Sequence, residues 1–396
     1  MKQKRIAIIT THPIQYQAPW FRALAARADL EMEVFFCHEA TAEEQASAGF
    51  GVKFDWDLPL LEGYSYSFLR NVASRPTIGE FSGLDTPEIK DIIRRERYDA
   101  VIVNGWHFKS AWQTFRACWQ TKTPVMARGD STLYNQRDPL KKILKWPYYR
   151  WFIPKLDACL AVGKWSREYY LHYGARPDRV FLVPHVIDDQ FFARESVSLK
   201  TERDEIRREW GLDEEAAVFL FAGKFLEVKR PMDFVRAIEQ AAARDRSVMG
   251  LMVGDGPLRG ACEEYSRQHN VPVKFTGFLN QSEITRAYVA CDALVLASAS
   301  ETWGLVVNEA MACGRPCIVS DGVGCGPDMI VKGETGDIFA VGDVVELAGL
   351  LALYAKDRAR LEAMGEGARK MAHRNSVEVA VEGVLSAVEA LCVEKR

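Results

Sequence analysis

Short apolar runs recur along this 396-residue chain, each separated from the next by a longer amphipathic stretch. Ile6-Ala7-Ile8-Ile9, Ala100-Val101-Ile102-Val103, Ala217-Val218-Phe219-Leu220-Phe221, Gly250-Leu251-Met252-Val253, Ala293-Leu294-Val295-Leu296 and Pro316-Cys317-Ile318-Val319 are continuous rather than alternating. Met32-Glu33-Val34-Phe35-Phe36 is a further strand candidate, broken by one charge. A strand that is apolar on both sides must be covered on both faces, and a parallel sheet between helix layers supplies that cover. Between the runs lie helices: Pro87 to Arg97 places Ile89, Ile92 and Ile93 on one face, and Pro231 stands where a helix begins. The pattern stops in a polar, charged stretch at about 194–215 and then restarts. The reading is α/β: two Rossmann-like doubly wound domains, 1–190 and 191–375, followed by a helix in 376–396 expected to cross back to the first. Doubly wound sheets collect their binding loops at the strand carboxyl ends, so the expectation is two domains facing a central cleft, one ligand held by each.

Composition narrows the class. With 51 basic and 54 acidic side chains the net charge is −3, which argues against a dedicated nucleic-acid binder. No apolar run reaches the roughly 18–20 residues of a membrane span. Nine cysteines without a Cys-x-x-Cys pair or zinc spacing fit small core residues in a reducing compartment. The start, Met1-Lys2-Gln3-Lys4-Arg5, is followed by too short an apolar run for a signal peptide. The expectation is a cytoplasmic protein.

The stretch richest in chemistry is Ser298-Ala299-Ser300-Glu301-Thr302-Trp303-Gly304-Leu305-Val306-Val307-Asn308-Glu309-Ala310-Met311-Ala312-Cys313-Gly314-Arg315-Pro316. A strand ends near Ala297, a loop of small residues follows, and Gly304 opens a helix that closes near Gly314. The free N–H groups and dipole at such a helix start attract an anion. Glu301 lies just before the helix and Glu309 a little over one turn into it, flanking a diphosphate-sized site. The same residues also fit a surface helix with a capping loop and two solvated glutamates. In Gly223-Lys224-Phe225-Leu226-Glu227-Val228-Lys229-Arg230-Pro231, Lys224 and Lys229 can act as charge-assisted donors to phosphate, or form an ordinary solvated basic loop. Val253-Gly254-Asp255-Gly256-Pro257 is a strand-to-helix turn, but Gly260 falls one residue late for a dinucleotide fingerprint.

Glu301-x₇-Glu309 followed by Ala-Met-Ala-x-Gly-x-Pro resembles the retaining glycosyltransferases of family 4, which have the GT-B fold. The Gly-Lys…Lys loop, Gly-Asp-Gly-Pro and Thr276-Gly277-Phe278-Leu279-Asn280 fall at matching places, and the resemblance is strongest over about 217–340. It implies a nucleotide-diphosphate sugar held by the second domain. Glu309 would hold ribose hydroxyls and Glu301 hydroxyls of the transferred sugar. Lys224 and Lys229 would neutralise the diphosphate leaving group, helped by the N–H groups of Gly304 and Leu305. Gly223, Asp255, Phe278 and Leu279 would complete the donor site, Phe278 and Leu279 near the base. No metal or other cofactor is expected. In the first domain, Val103-Asn104-Gly105-Trp106-His107 resembles the family's strand-end histidine, which places His107 at the acceptor and donor sugar. Asp130, His12 and Gln15 are weaker acceptor-side candidates. Departures from the family pattern are the bulky first loop, Lys224 where arginine is usual, Trp303 for phenylalanine, Pro184-His185-Val186-Ile187-Asp188 at the domain junction and Asp328 where a late glutamate is frequent.

Arg137 to Lys155 carries six basic and one acidic residue interleaved with five aromatics, so it supplies all the positive excess of the first 190 residues. Cations with interfacial aromatics suit an anionic membrane surface, although a helix with buried aromatics and a solvated basic edge fits as well. The resulting expectation is a glycosyltransferase acting on a saccharide or lipid-linked saccharide in polysaccharide or glycoconjugate synthesis, with peripheral contact at the cytoplasmic membrane face. The alternatives are a catalytically inactive sugar-nucleotide-binding subunit and a GT-B sugar-nucleotide epimerase.

Overall fold

The computed structural model describes residues 3–39, 56–134 and 139–393, the side chains of 139–142 and 392–393 excepted. The chain divides into two compact units. One comprises 3–39, Pro59–Ile187 and the stretch from Ser376 onward; the other comprises Asp188–Asn375 with residues 56–58.

The first unit holds seven parallel strands: β1 Lys4–Thr10, β2 Leu30–Phe36, β3 Tyr66–Phe68, β4 Ala100–Asn104, β5 Val125–Gly129, β6 Ala158–Ala161 and β7 Val180–Leu182. Their order across the sheet is β3-β2-β1-β4-β5-β6-β7. Ile8 lies beside Val34 on one side and Ile102 on the other. The pleat sends neighbours along β1 to opposite faces. Ala7 and Ile9 join a core with Val101, Val103 and Phe115, whereas Ile6 and Ile8 join a second core with Trp20 and Val34. That second core is closed by Val377, Ala380, Val384, Val388 and Leu391 of the last helix, Val377–Val393. Two buried faces explain why β1 and β4 read as unbroken apolar runs.

The second unit holds six parallel strands: β8 Ala217–Ala222, β9 Val248–Val253, β10 Val273–Gly277, β11 Ala293–Leu296, β12 Cys317–Ser320 and β13 Gly336–Phe339. Their order is β10-β9-β8-β11-β12-β13. In both sheets the order reverses next to the first strand, between β1 and β4 and between β8 and β11. Loops leaving the carboxyl ends at such a point diverge and leave a crevice.

The polar stretch at about 194–215, where the apolar pattern stops, is largely helical. Helices Asp189–Ser198 and Arg203–Glu209 run through it. Arg207 is buried, donates to the carbonyls of Ala290, Glu214 and Ala216, and pairs with Asp292 at 3.1 Å. Arg203 and Arg358 reach the same carboxylate at 2.7 and 3.0 Å. The charges that dominate this stretch tie the Arg203–Glu209 helix to the amino-terminal end of β11.

Candidate functional site

In the second unit the candidate donor residues gather on loops at the carboxyl ends of β8, β9, β10 and β11. After β8 the chain passes Gly223 and Lys224 and makes a single 3₁₀ turn at Glu227–Lys229. Arg230 then takes a left-handed conformation, and Pro231 starts the helix Pro231–Arg244. This turn swings Lys229 into an ion pair with Glu301 of the loop after β11. The two loops are also joined by the Ala299 N–H, which donates to the Val228 carbonyl at 2.8 Å. Glu301 is held from behind: its N–H donates to Gly322, and its carbonyl accepts from Gly324, both at 3.0 Å. Burial, and then the charge of Lys229, lower the Lys224 ammonium from its ordinary range, while Glu301 opposes them. Two cations and one carboxylate therefore share a half-buried corner that keeps a net positive charge.

Gly304, in a left-handed conformation that favours glycine, leads into the helix Leu305–Ala312. Such a helix start leaves backbone donors without partners inside the helix. Glu309 is the fifth residue of this helix and only 7% exposed. The Tyr288 hydroxyl donates to its carboxylate at 2.6 Å, and the Gln281 side chain also hydrogen-bonds to it. Burial outweighs both contacts and pushes the Glu309 carboxyl up to about 7. Neither glutamate is the solvated surface group that the sequence alone allowed.

The loops after β8 and β9 touch backbone to backbone. Phe225 N–H donates to the Asp255 carbonyl at 2.8 Å, and Gly223 N–H to the Val253 carbonyl at 3.0 Å. Asp255 turns its carboxylate toward the Gly256 N–H at 2.7 Å and Arg259 at 2.8 Å. A Cβ on Gly254 would meet the Gly223 carbonyl oxygen at 2.0 Å, at a φ of 125° that side chains rarely adopt. Gly254→Ala is therefore expected to lower stability by roughly 2–4 kcal/mol, as strained left-handed positions do, and to displace the Gly223-Lys224 loop. Denaturant melts would check this, and an unchanged midpoint would refute it.

In the first unit, the loops after β1, β4 and β5 line a cavity of about 630 Å³. His12, His107 and Asp130 are in its wall; Gln15 is not, and its side-chain oxygen is shielded from solvent without a partner among the described residues. Asn104, at the end of β4, lines the cavity with both ends of its amide shielded and unpartnered among the described residues. Such a group is satisfied by a hydroxyl-bearing ligand or by water. Below it, Arg128 is buried against the Trp20 ring and donates to the carbonyls of Val183 and Pro184. His185 lies between Arg128, 3.4 Å away, and Asp130, 3.7 Å away. Burial and Arg128 lower the His185 imidazole from its ordinary range, and Asp130 opposes them. Tyr16, in the same wall, is pushed up to about 12 by burial and by the Asp130 charge.

Residues 20–191 match the family model Glycosyltransferase Family 4, and residues 202–371 match Glycosyl transferases group 1. A D-inositol 3-phosphate glycosyltransferase of Rhodococcus opacus (strain B4) is 30% identical over 91% of this chain and 81% of its own. The chain belongs to glycosyltransferase family 4. An N-acetyl-alpha-D-glucosaminyl L-malate synthase of Bacillus anthracis is 31% identical over 45% of this chain, and the match spans less than half of that protein, 46%. Among solved structures, Anabaena Alr3699/HepE in complex with UDP and glucose superposes with a TM-score of 0.70 over 98% of this chain and 100% of that one, at 15% identity. Sucrose-phosphate synthase from Thermosynechococcus elongatus gives 0.70 over 99% and 100%, at 19% identity. These likenesses show the GT-B fold.

With the family established, the residues divide by location. Lys224, Lys229 and Glu301 form one interacting cluster. Gly304, Leu305 and Glu309 share one short helix and its start, and Asp255 packs against the loop that carries Lys224. Phe278 and Leu279 are half-buried just after β10, where the Gly277 carbonyl accepts from Gly254 N–H at 2.8 Å. Sequence reasoning missed Tyr288 and Gln281, which hold Glu309, and Asn104, Arg128 and His185 in the first unit. It also missed Asp57, which accepts from the N–H (3.1 Å) and the hydroxyl of Ser282 on the loop after Phe278. Nothing in the local pattern marks these residues; only the fold brings them to their partners.

Proposed function

We propose that this chain is a retaining glycosyltransferase that moves a sugar from a nucleotide-diphosphate donor to a saccharide or lipid-linked saccharide without a metal ion. The observation that carries the reading is the Lys224-Lys229-Glu301 cluster, set at the switch point of the second sheet next to the Leu305–Ala312 helix start. When the bond between sugar and diphosphate breaks, negative charge grows on the departing phosphate. Two fixed ammonium groups and backbone N–H donors aimed at that position stabilise it, and they need no reorganisation as the charge appears. Glu301 fixes Lys229 and offers its remaining lone pairs to sugar hydroxyls. Glu309 accepts from ribose hydroxyls, a role suited to a carboxylate kept from water. The UDP and UDP-glucose complexes of Alr3699/HepE support a nucleotide-sugar donor.

On the acceptor side, His107 is exposed in the cavity wall after β4, and Asp130 opens the loop after β5. Asp130 is the candidate to receive the acceptor proton, and Asn104 to hold a neighbouring hydroxyl. His107→Ala is expected to lower kcat/KM for transfer by roughly 10²-fold, the scale of a misplaced reacting group, while nucleotide binding persists. Steady-state kinetics with isothermal titration would check this; equal losses in both would place His107 elsewhere.

The helix Pro139–Phe152 belongs to the peripheral-contact reading. Arg137 lies outside the described residues. Ile143 and Leu144 are 67% and 78% exposed beside Trp146, while Phe152 is buried. Among the described residues no helix is long and apolar enough to cross a membrane. Sedimentation with anionic vesicles at low salt tests the contact. A thermal-shift panel of UDP-, GDP- and ADP-sugars, followed by nucleotide release with and without acceptor, tests the activity. Stabilisation without turnover across the panel would instead favour a sugar-nucleotide-binding subunit.

A further inference from the structure

The polar cavity of the first unit adjoins a second hollow of about 680 Å³, and Phe81, Trp112 and Tyr148 line both. The second hollow is walled by five aromatic rings, those three with Trp119 and Trp151. Trp112 packs on Tyr148 at 5.4 Å between centroids, and Trp119 on Trp151 at 6.1 Å. Trp112 and Trp119 are half-buried against the core, but Phe81, Tyr148 and Trp151 are 54%, 40% and 50% exposed. Contiguous exposed apolar surface of this kind marks a place that another molecule covers.

The polar groups of the groove narrow what that molecule is. Gln113 is spent within the protein, its amide donating to Asp85 at 2.6 Å and its oxygen accepting from Thr86 N–H at 3.0 Å. Asp85 is also taken by Lys109 at 2.6 Å. A sugar chain would find few hydrogen-bond partners here. Lys90, Lys109 and Arg116 give the wall three cations against one carboxylate, so it favours an acidic group. An apolar groove with a cationic rim, running into a polar cavity, matches a molecule with a hydrocarbon tail, an acidic group and a hydroxyl-bearing head.

We propose that this groove holds the apolar tail of an amphiphilic, acid-bearing acceptor whose head occupies the cavity around Asn104, His107 and Asp130. The inference rests on reading that cavity as the acceptor site. It narrows the acceptor from any saccharide to a lipid-linked one, and it places the tail in a discrete groove rather than in the bilayer.

The test uses decyl phosphate below its micelle concentration, titrated calorimetrically into the full-length protein, with inorganic phosphate and anionic phospholipid vesicles as comparison arms. The expected result is saturable, near-stoichiometric binding of decyl phosphate and none of inorganic phosphate. Trp151→Ala and Phe81→Ala are each expected to weaken it roughly tenfold, the loss of one aromatic contact and the methylenes it covers. Circular dichroism would confirm that each variant is folded. Equal affinity for inorganic phosphate, no saturable binding, unchanged affinity in both variants, or binding to vesicles alone would overturn the proposal. The donor-nucleotide thermal shift separates the two claims. Its absence from the unaltered protein counts against the transferase reading, whereas its presence without decyl phosphate binding counts against the groove alone.

Discussion

Lys229→Ala is expected to lower the rate of sugar transfer by roughly 10²–10³-fold at saturating donor, the cost of removing one preorganised charge from a leaving-group site. The ion pair with Glu301 defines the effect. Removing the ammonium takes away the charge that meets the departing diphosphate and leaves the Glu301 carboxylate in the same corner, where it repels that diphosphate. The loss therefore has two parts, and they can be separated. Glu301→Gln in the Lys229→Ala background should recover part of the rate, so the two changes should be non-additive, as for residues that share one interaction. Lys224 responds as well. Its ammonium is lowered by burial and then by Lys229, so losing Lys229 restores some of its basicity without supplying the missing contact. Fold should survive, because both side chains are on loops outside the hydrophobic cores. Single-turnover kinetics with circular dichroism decide the matter: near wild-type turnover in a folded variant would remove Lys229 from the machinery.

The parts of the fold legible in the sequence are those with a one-dimensional signature. β1, β4, β8 and β11 are central strands covered on both faces, so their middles are unbroken apolar runs. The edge strands β3 and β7 are three residues each, too short for any periodicity. The stretch at 194–215 reads only as polar and charged, because its arginines and glutamates dominate it. Their actual role depends on Asp292, some 85 residues away, which no local pattern connects to them. The candidate site divides in the same way. Glu301 and Glu309 stand out through spacing on one loop and helix, and Lys224 and Lys229 through their place after a strand. Asn104, Arg128, His185 and Tyr288 lack such a mark, since what sets each of them apart is burial beside a distant partner. Gln15 shows the converse: polar and in the first loop, it is not in the wall of the cavity that takes His12.

Glu309 carries the second large expectation, in which stability and binding move in opposite directions. Its carboxyl is pushed up to about 7 in the folded protein, against an ordinary value of 4.5, because burial disfavours the charged form. The unfolded chain gives up this proton near its ordinary value, whereas the folded chain keeps it longer. Folded protein thus binds more protons between those limits, and stability falls as pH rises from about 4.5 to about 7. The difference amounts to roughly 3 kcal/mol at pH 8, since each tenfold change in proton affinity is worth about 1.4 kcal/mol. Glu309→Gln has no proton to lose. It can still accept from Tyr288, so it should melt higher than the unaltered protein at pH 8 and close to it at pH 4.5. Nucleotide binding should respond the other way. The carboxylate form accepts two ribose hydroxyls, so nucleoside diphosphate affinity should fall roughly tenfold per pH unit below the Glu309 value and level off above it. Glu309→Gln should bind weakly at every pH, and Glu309→Ala, which also opens a hole beside Tyr288, should lose both binding and stability. Thermal melts and calorimetric titrations at pH 5, 6, 7 and 8 give both profiles. If the unaltered protein and Glu309→Gln traced the same curves, Glu309 would be neither the buried acid described here nor the ribose ligand.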